Sequence, residues 1–202
     1  ATLHSFPTRR SSDLKASFVY INANAIFTSS TTITESDMSY EGKDLLIDGS
    51  TLAIDGPHSF NSVHLVRGAV LTHTADSGSQ THKVDLTVAG EVIVDAASRI
   101  DVSGRGRESG GWFSGGGYGG LGSGGTLYSN PAYGDYADPD EPGSGAEMSG
   151  SGFRYIVTGG GLVRLTASAL RLDGDLVAAG GISYADKLGG SGGGIYIAVA
   201  TL

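Results

Sequence analysis

The 202-residue chain carries a formal net charge of −8, 34 glycines but only 5 prolines, and 39% hydrophobic residues; enough Val, Ile, Leu and Phe remain to exclude wholesale disorder. The acidic balance leaves no basic patch to release counterions from a polyanion, which argues against nucleic acid or an anionic membrane as partner. Cysteine is absent and no run of about eighteen apolar residues occurs, so disulfides, thiolate metal sites and a membrane-inserted helix are all excluded.

Residues 2–14, TLHSFPTRRSSDL, resemble translated sequencing-adapter read-through, so 1–14 is set aside as a non-native scar and 15–202 is taken as one domain. On that expectation the natural N-terminus and any signal peptide lie outside this sequence. The apolar stretch 18–27 predicts one or two strands. The hydroxyl-rich, β-branched stretch 28–34 favours extended backbone and is expected to cap a stack. Next comes a phrase that recurs: Leu45-Leu46-Ile47-Asp48-Gly49, then Leu52-Ala53-Ile54-Asp55-Gly56, later Ile100-Asp101-Val102-Ser103-Gly104 and Leu170-Arg171-Leu172-Asp173-Gly174. Short alternating strands closed by tight turns cannot each bury an apolar face alone, and so stack on copies of themselves.

Two strands are predicted within 45–54 around Gly49-Ser50, and two more at 63–66 and 69–71 around Arg67-Gly68, joined either as hairpins or through corners. Three follow at 86–88, 92–94 and 100–102, giving three short faces per repeat of about twenty residues. Between 104 and 161 the pattern stops in a glycine-rich excursion with too little side chain for a core. It resumes at Leu162-Val163-Arg164-Leu165, breaks again over 180–194, and continues through Ile195-Tyr196-Ile197 to an end in mid-pattern. The predicted fold is all-β, a right-handed parallel β-helix-like solenoid with a long Gly-rich loop insertion. An antiparallel sandwich would give the same alternation and is the rival.

The wording of several segments is similar to glycine-rich repeat regions of very large bacterial secreted or cell-surface proteins. These are Ile100 through Gly106, Tyr118-Gly119-Gly120, Tyr133-Gly134-Asp135-Tyr136, Pro142-Gly143-Ser144-Gly145, Gly159 through Ala167 and Gly192 through Ile197. The resemblance implies a β-helix-like extracellular module, adhesive or architectural, inside a larger polypeptide. Its partners would be neighbouring domains and an extracellular glycan or surface, and it implies no catalytic residues.

Four constellations bear on chemistry. Asp135, Asp138, Asp140 and Glu141 place four carboxylates within seven residues. Ca²⁺ is the one cofactor they suggest, although the spacing matches no EF-hand, and a solvated acidic loop explains them as well. Trp112, Tyr118, Tyr133 and Tyr136 are rings with polar tips on a glycine scaffold, suited either to stacking on sugars or to anchoring the excursion. Asp48, Asp55 and Asp173 precede Gly at strand ends, with Asp95 and Asp101 nearby. Stacked carboxylates could serve acid/base work on a polysaccharide, but a corner needs Asp-Gly on structural grounds, Asp accepting from the backbone two residues on. His64, His73 and His82, nine apart, fit exposed strand or loop positions better than a metal set, since that interval does not stack on a twenty-residue coil. Gly104-Arg105-Gly106 lacks the GxGxxG context of a phosphate cradle.

A non-enzymatic extracellular scaffold or adhesion module is therefore expected. The alternatives are a pectin-lyase-type enzyme using Arg99, Asp101, Arg164, Arg171 and Asp173, or a non-catalytic glycan-binding module.

Overall fold

The computed structural model describes residues 23–77, 81–108, 115–120, 132–150, 152–183 and 188–202. The segment 2–14, the beginning of the 18–27 stretch and Trp112 lie outside them. Short apolar runs form β1 (Ala25–Phe27), β2 (Thr31–Ile33), β3 (Asp44–Asp48), β4 (Thr51–Ile54), β5 (Gly56–Phe60), β6 (Ser62–Val66), β7 (Val70–Thr72), β8 (Val84–Val94) and β9 (Arg99–Asp101). The excursion contributes β10 (Ala146–Gly150) and β11 (Phe153–Val157), and β12 (Leu162–Leu172), β13 (Asp175–Val177), β14 (Ile182–Ser183), β15 (Leu188–Gly189) and β16 (Gly194–Thr201) follow.

Two sheets hold most of these strands. A seven-stranded sheet runs β1-β3-β6-β8-β12-β16, with β5 also on β8, and a five-stranded sheet runs β13-β9-β7-β4-β2. Every pairing in both is parallel. The chain alternates between them: β1 to β2, β3 to β4, β6 to β7, β8 to β9 and β12 to β13 each pass from the larger sheet to the smaller. Among the described residues antiparallel pairing is confined to β10 with β11 and β14 with β15, which is not the pairing of the rival sandwich. The architecture is all-β with parallel sheets, compatible with a β-solenoid.

Because the side-chain period of a strand is two, parallel register sets like residues above one another. Leu45 lies opposite Val63, Val63 opposite Val92, and Val92 opposite Leu170, all four buried. Leu52, Leu71, Ile100 and Leu176 form the corresponding row of the second sheet. Each fully buried aliphatic contributes roughly 1.5–3 kcal/mol relative to exposure. Among the described residues, β1 and β2 are edge strands of their sheets.

The strands on either side of Gly49 and of Gly68 lie in different sheets, so these turns are corners and not hairpins. Gly49 and Gly56 take φ of 59° and 81°, the left-handed region that glycine enters without penalty. Three strand expectations need correction. Residues 86–88 and 92–94 belong to one eleven-residue strand, because β8 passes the intended corner through a bulge. Phe60 pairs with Val88 and Val63 with Val92, leaving three residues of β8 opposite two. The Gly90 N–H donates to the Asn61 carbonyl at 2.8 Å, keeping the ladder closed there. Two of the three expected faces thereby merge into one sheet. β5 was hidden by Gly56-Pro57, which reads as a turn, and the hairpin β10–β11 by the low apolar content of its surroundings.

The glycine-rich segments pack by backbone. Gly106 N–H donates to the Gly159 carbonyl (2.8 Å), Gly143 to Gly160 (2.8 Å), Gly160 to Ser191 (2.9 Å) and Gly193 to Ala178 (2.8 Å). Segments around 106, 143, 160, 178 and 192 thus cross-link laterally. A Cβ on Gly160 would lie 2.1 Å from the Ala178 oxygen, and one on Gly193 1.8 Å from the Gly161 oxygen. Only glycine fits such an approach, as at the axis of collagen. Among the described residues of the excursion these main-chain hydrogen bonds join segments far apart in sequence.

Candidate functional site

The carboxylates of the acidic loop are dispersed. Asp138 pairs with Arg164 of β12 at 2.8 Å, Glu141 with Arg107 at 3.3 Å, Asp135 accepts from the Ala137 N–H at 2.8 Å, and Asp140 is exposed. Among the described residues no three of His, Asp and Glu are gathered so as to hold a metal ion. Of the nominated rings, Tyr118 and Tyr133 meet edge to face at 5.3 Å between centroids, and the Tyr133 hydroxyl donates to the Pro142 carbonyl at 2.7 Å. Both contacts lie within the excursion itself. Tyr136 is 99% exposed.

The residues nominated for acid/base chemistry do not converge. Arg99 pairs with Asp101 (3.1 Å) on β9 of the smaller sheet, and Arg171 pairs with Asp173 (2.7 Å) at the end of β12 in the larger one. Arg164 lies over the Tyr196 ring at 4.5 Å. Each pair joins positions two apart in sequence, which share one face of an extended strand.

The aspartates at the strand ends behave in two ways. Asp95 and Asp101 accept from the backbone two residues on, from Ala97 and Ser103, each at 3.0 Å. Burial raises both carboxyls, but these and neighbouring hydrogen bonds outweigh it and hold them below the usual range. Asp48 and Asp55 do not follow the expected local pattern, because their carboxylates reach residues 19 positions further along the chain. Asp48 is bound by the Arg67 guanidinium. Asp55, buried, accepts from Thr74 N–H and Thr74 Oγ1, both at 2.7 Å.

Asp55 opens onto a polar corner formed by the connection from β7 to β8. His82 Nδ1 lies 3.6 Å from Asp55 Oδ2, and the His82 N–H donates to Asp76 Oδ1 at 2.6 Å. The other Asp76 oxygen is buried with no hydrogen-bond partner among the described residues, and burial raises this carboxyl. His73, fully buried, places Nδ1 2.7 Å from the Thr74 carbonyl and accepts the Leu162 N–H at Nε2 (3.3 Å). That pair of partners fixes the neutral tautomer with the proton on Nδ1, and burial lowers its pKa to about 4.

Of the three histidines expected from their spacing to be exposed, His64 and His73 are buried and His82 is half-buried; His58, outside that set, is buried too. His58 occupies an inward position opposite Leu86, with Nδ1 2.7 Å from Glu41 and Nε2 3.2 Å from the Thr34 carbonyl. Alternation in strand β5 turns it inward, and that strand was not foreseen.

Beside the polar corner, the outer face of the smaller sheet carries a shallow groove of about 380 Å³. Register aligns Thr32, Ala53 and Thr72 across three strands, Thr51 and Thr74 flank them, and Arg105 closes one end. Among the described residues the Arg105 guanidinium has neither a hydrogen bond nor an ion pair. Its backbone is fixed, with N–H donating to Val102 (3.2 Å) and carbonyl accepting from Asp76 (3.0 Å). Sequence inspection tests Gly104-Arg105-Gly106 only as a phosphate cradle and so misses this arginine. The available signal is the recurrence of small or hydroxyl-bearing residues, Thr32, Ala53 and Thr72, at matching positions of successive strands. No protein-family model matches this chain, and no curated protein or solved structure is significantly similar to it.

Proposed function

We propose that this chain is a right-handed parallel β-helix-like solenoid acting as a non-enzymatic extracellular structural or adhesion module of a larger cell-surface or secreted protein. The observation that carries this is the alignment of Leu45, Val63, Val92 and Leu170 across successive parallel strands, while the candidate acid/base pairs Arg99–Asp101 and Arg171–Asp173 stay apart on different sheets. Such a stack is a rigid rod in which each coil supports its neighbours, and its outer faces and excursions are left to make contacts. The likeness of its glycine-rich wording to bacterial surface proteins agrees with this role.

The test has two parts. An antibody to the chain should label intact cells of the producing organism, whereas antigen found only after lysis would contradict a surface role. Purified chain incubated with polygalacturonate or xylan should release neither reducing ends nor unsaturated products. Turnover lost in Asp101→Asn or Asp173→Asn would establish the enzyme alternative instead.

A further inference from the structure

We infer that the groove on the outer face of the smaller sheet binds a sparsely charged sugar carrying one carboxylate, with Arg105 taking the carboxylate and the exposed lining threonines, Thr32 and Thr74 among them, taking hydroxyls. Three features point to this chemistry. Arg105 is a cation without a counter-ion among the described residues, half-buried at the end of a lining otherwise made almost wholly of hydroxyls. A planar guanidinium forms bidentate, charge-assisted hydrogen bonds to a carboxylate. Threonine hydroxyls both donate and accept, matching a polyol but not an apolar chain.

The polar corner adds directionality. Thr74 Oγ1 gives its only proton to Asp55 at 2.7 Å, so toward the groove it can only accept. A ligand hydroxyl must therefore donate at Thr74 while a carboxylate sits at Arg105. Asp55 also takes the Thr74 N–H, fixing the backbone that carries this acceptor before any ligand arrives, so less ordering is required on binding. The formal charge of −8 repels a dense polyanion, which selects a ligand with isolated carboxylates over a polyuronate.

This inference deepens the adhesion role proposed above and rests on that role for its biological use, but the binding is measurable on the purified chain. The probes are methyl β-D-glucuronide, methyl β-D-glucoside and acetate, titrated against ¹⁵N-labelled chain and followed by amide chemical shifts. The glucuronide should give saturable shifts at Thr32, Ala53, Thr72 and Thr74, with the glucoside and acetate each binding at least about tenfold more weakly. Arg105→Gln should weaken the glucuronide to the level of the glucoside while leaving the rest of the spectrum in place.

Equal binding of glucuronide and glucoside would overturn the role of Arg105, and equal binding of acetate would reduce the site to an adventitious anion contact. Absence of groove shifts for all three probes would overturn the site. Should Arg105→Gln fail to fold, the three titrations of the unaltered chain still decide. Failure here leaves the antibody result untouched, and cell labelling only after lysis leaves the titrations untouched.

Discussion

Substituting Gly160 by alanine tests whether the glycine-rich excursion is held by main-chain packing. The added Cβ would meet the Ala178 oxygen at 2.1 Å and the Gly193 nitrogen at 2.5 Å, both backbone atoms that cannot swing aside. Relief requires separating segments joined by the Gly160-to-Ser191 and Gly193-to-Ala178 hydrogen bonds. Overpacking costs about 1–3 kcal/mol, and each buried donor left unsatisfied costs about 1–3 kcal/mol more. The expected loss is about 3–5 kcal/mol, a fall in Tm of roughly 6–20 °C for a chain of this size. Gly120→Ala is the control, since nothing lies within 4 Å of the added atom and its φ is not in the left-handed region; it should change stability by less than about 0.5 kcal/mol. Urea melts monitored by far-UV circular dichroism and by the Tyr118 and Tyr133 environment would read both. Equal effects of Gly160→Ala and Gly120→Ala would refute the packing argument.

The buried His73 sets a pH dependence. Its folded pKa, about 4, lies below the unfolded value of 6.5, so the unfolded state binds the proton first. Stability from this group is fully present above pH 6.5 and is lost as pH falls toward 4, by about 3 kcal/mol. Asp76, raised by burial, works the other way, its penalty being relieved as pH falls. Urea midpoints measured between pH 7 and 4.5 should show a slope that His73→Asn removes, and an unchanged slope would contradict the assignment. Leu71→Ala, in the fully buried row of the smaller sheet, should cost about 2–5 kcal/mol in the same melts, against less than about 1 kcal/mol for Ile195→Ala on the exposed face of β16. Asp55→Ala strands the Thr74 N–H and hydroxyl and should cost about 2–3 kcal/mol, with faster hydrogen exchange at Thr74.

Much of the strand layout is legible in the sequence because apolar alternation and Asp-Gly or Arg-Gly punctuation occur together at 45–54 and 63–71, where the two signals reinforce one another. Where one signal is missing, legibility fails. Gly56-Pro57 reads as a turn although β5 pairs with β8 along five residues, since proline's missing donor is tolerated only when pairing elsewhere makes the strand. Ala89-Gly90 reads as a corner, but a bulge lets β8 continue past it. The glycine excursion gives no side-chain pattern because its cohesion lies in peptide groups, which sequence periodicity does not report. The candidate groove is equally quiet: Thr32, Thr72 and Arg105 come from three different turns of chain, and only register brings them together. Asp55 illustrates the same limit, since its Asp-Gly context predicts a local turn contact while its carboxylate is bound by Thr74, 19 residues further along the chain.

The central claim, that successive coils lie directly upon one another in parallel, is tested most directly by methyl nuclear Overhauser contacts in selectively labelled chain. Contacts linking Leu45 to Val63, Val63 to Val92 and Val92 to Leu170, without close Hα–Hα pairs between their strands, are the predicted result. Strong Hα–Hα contacts between those strands, with the methyl series broken, would mark antiparallel neighbours and contradict the account.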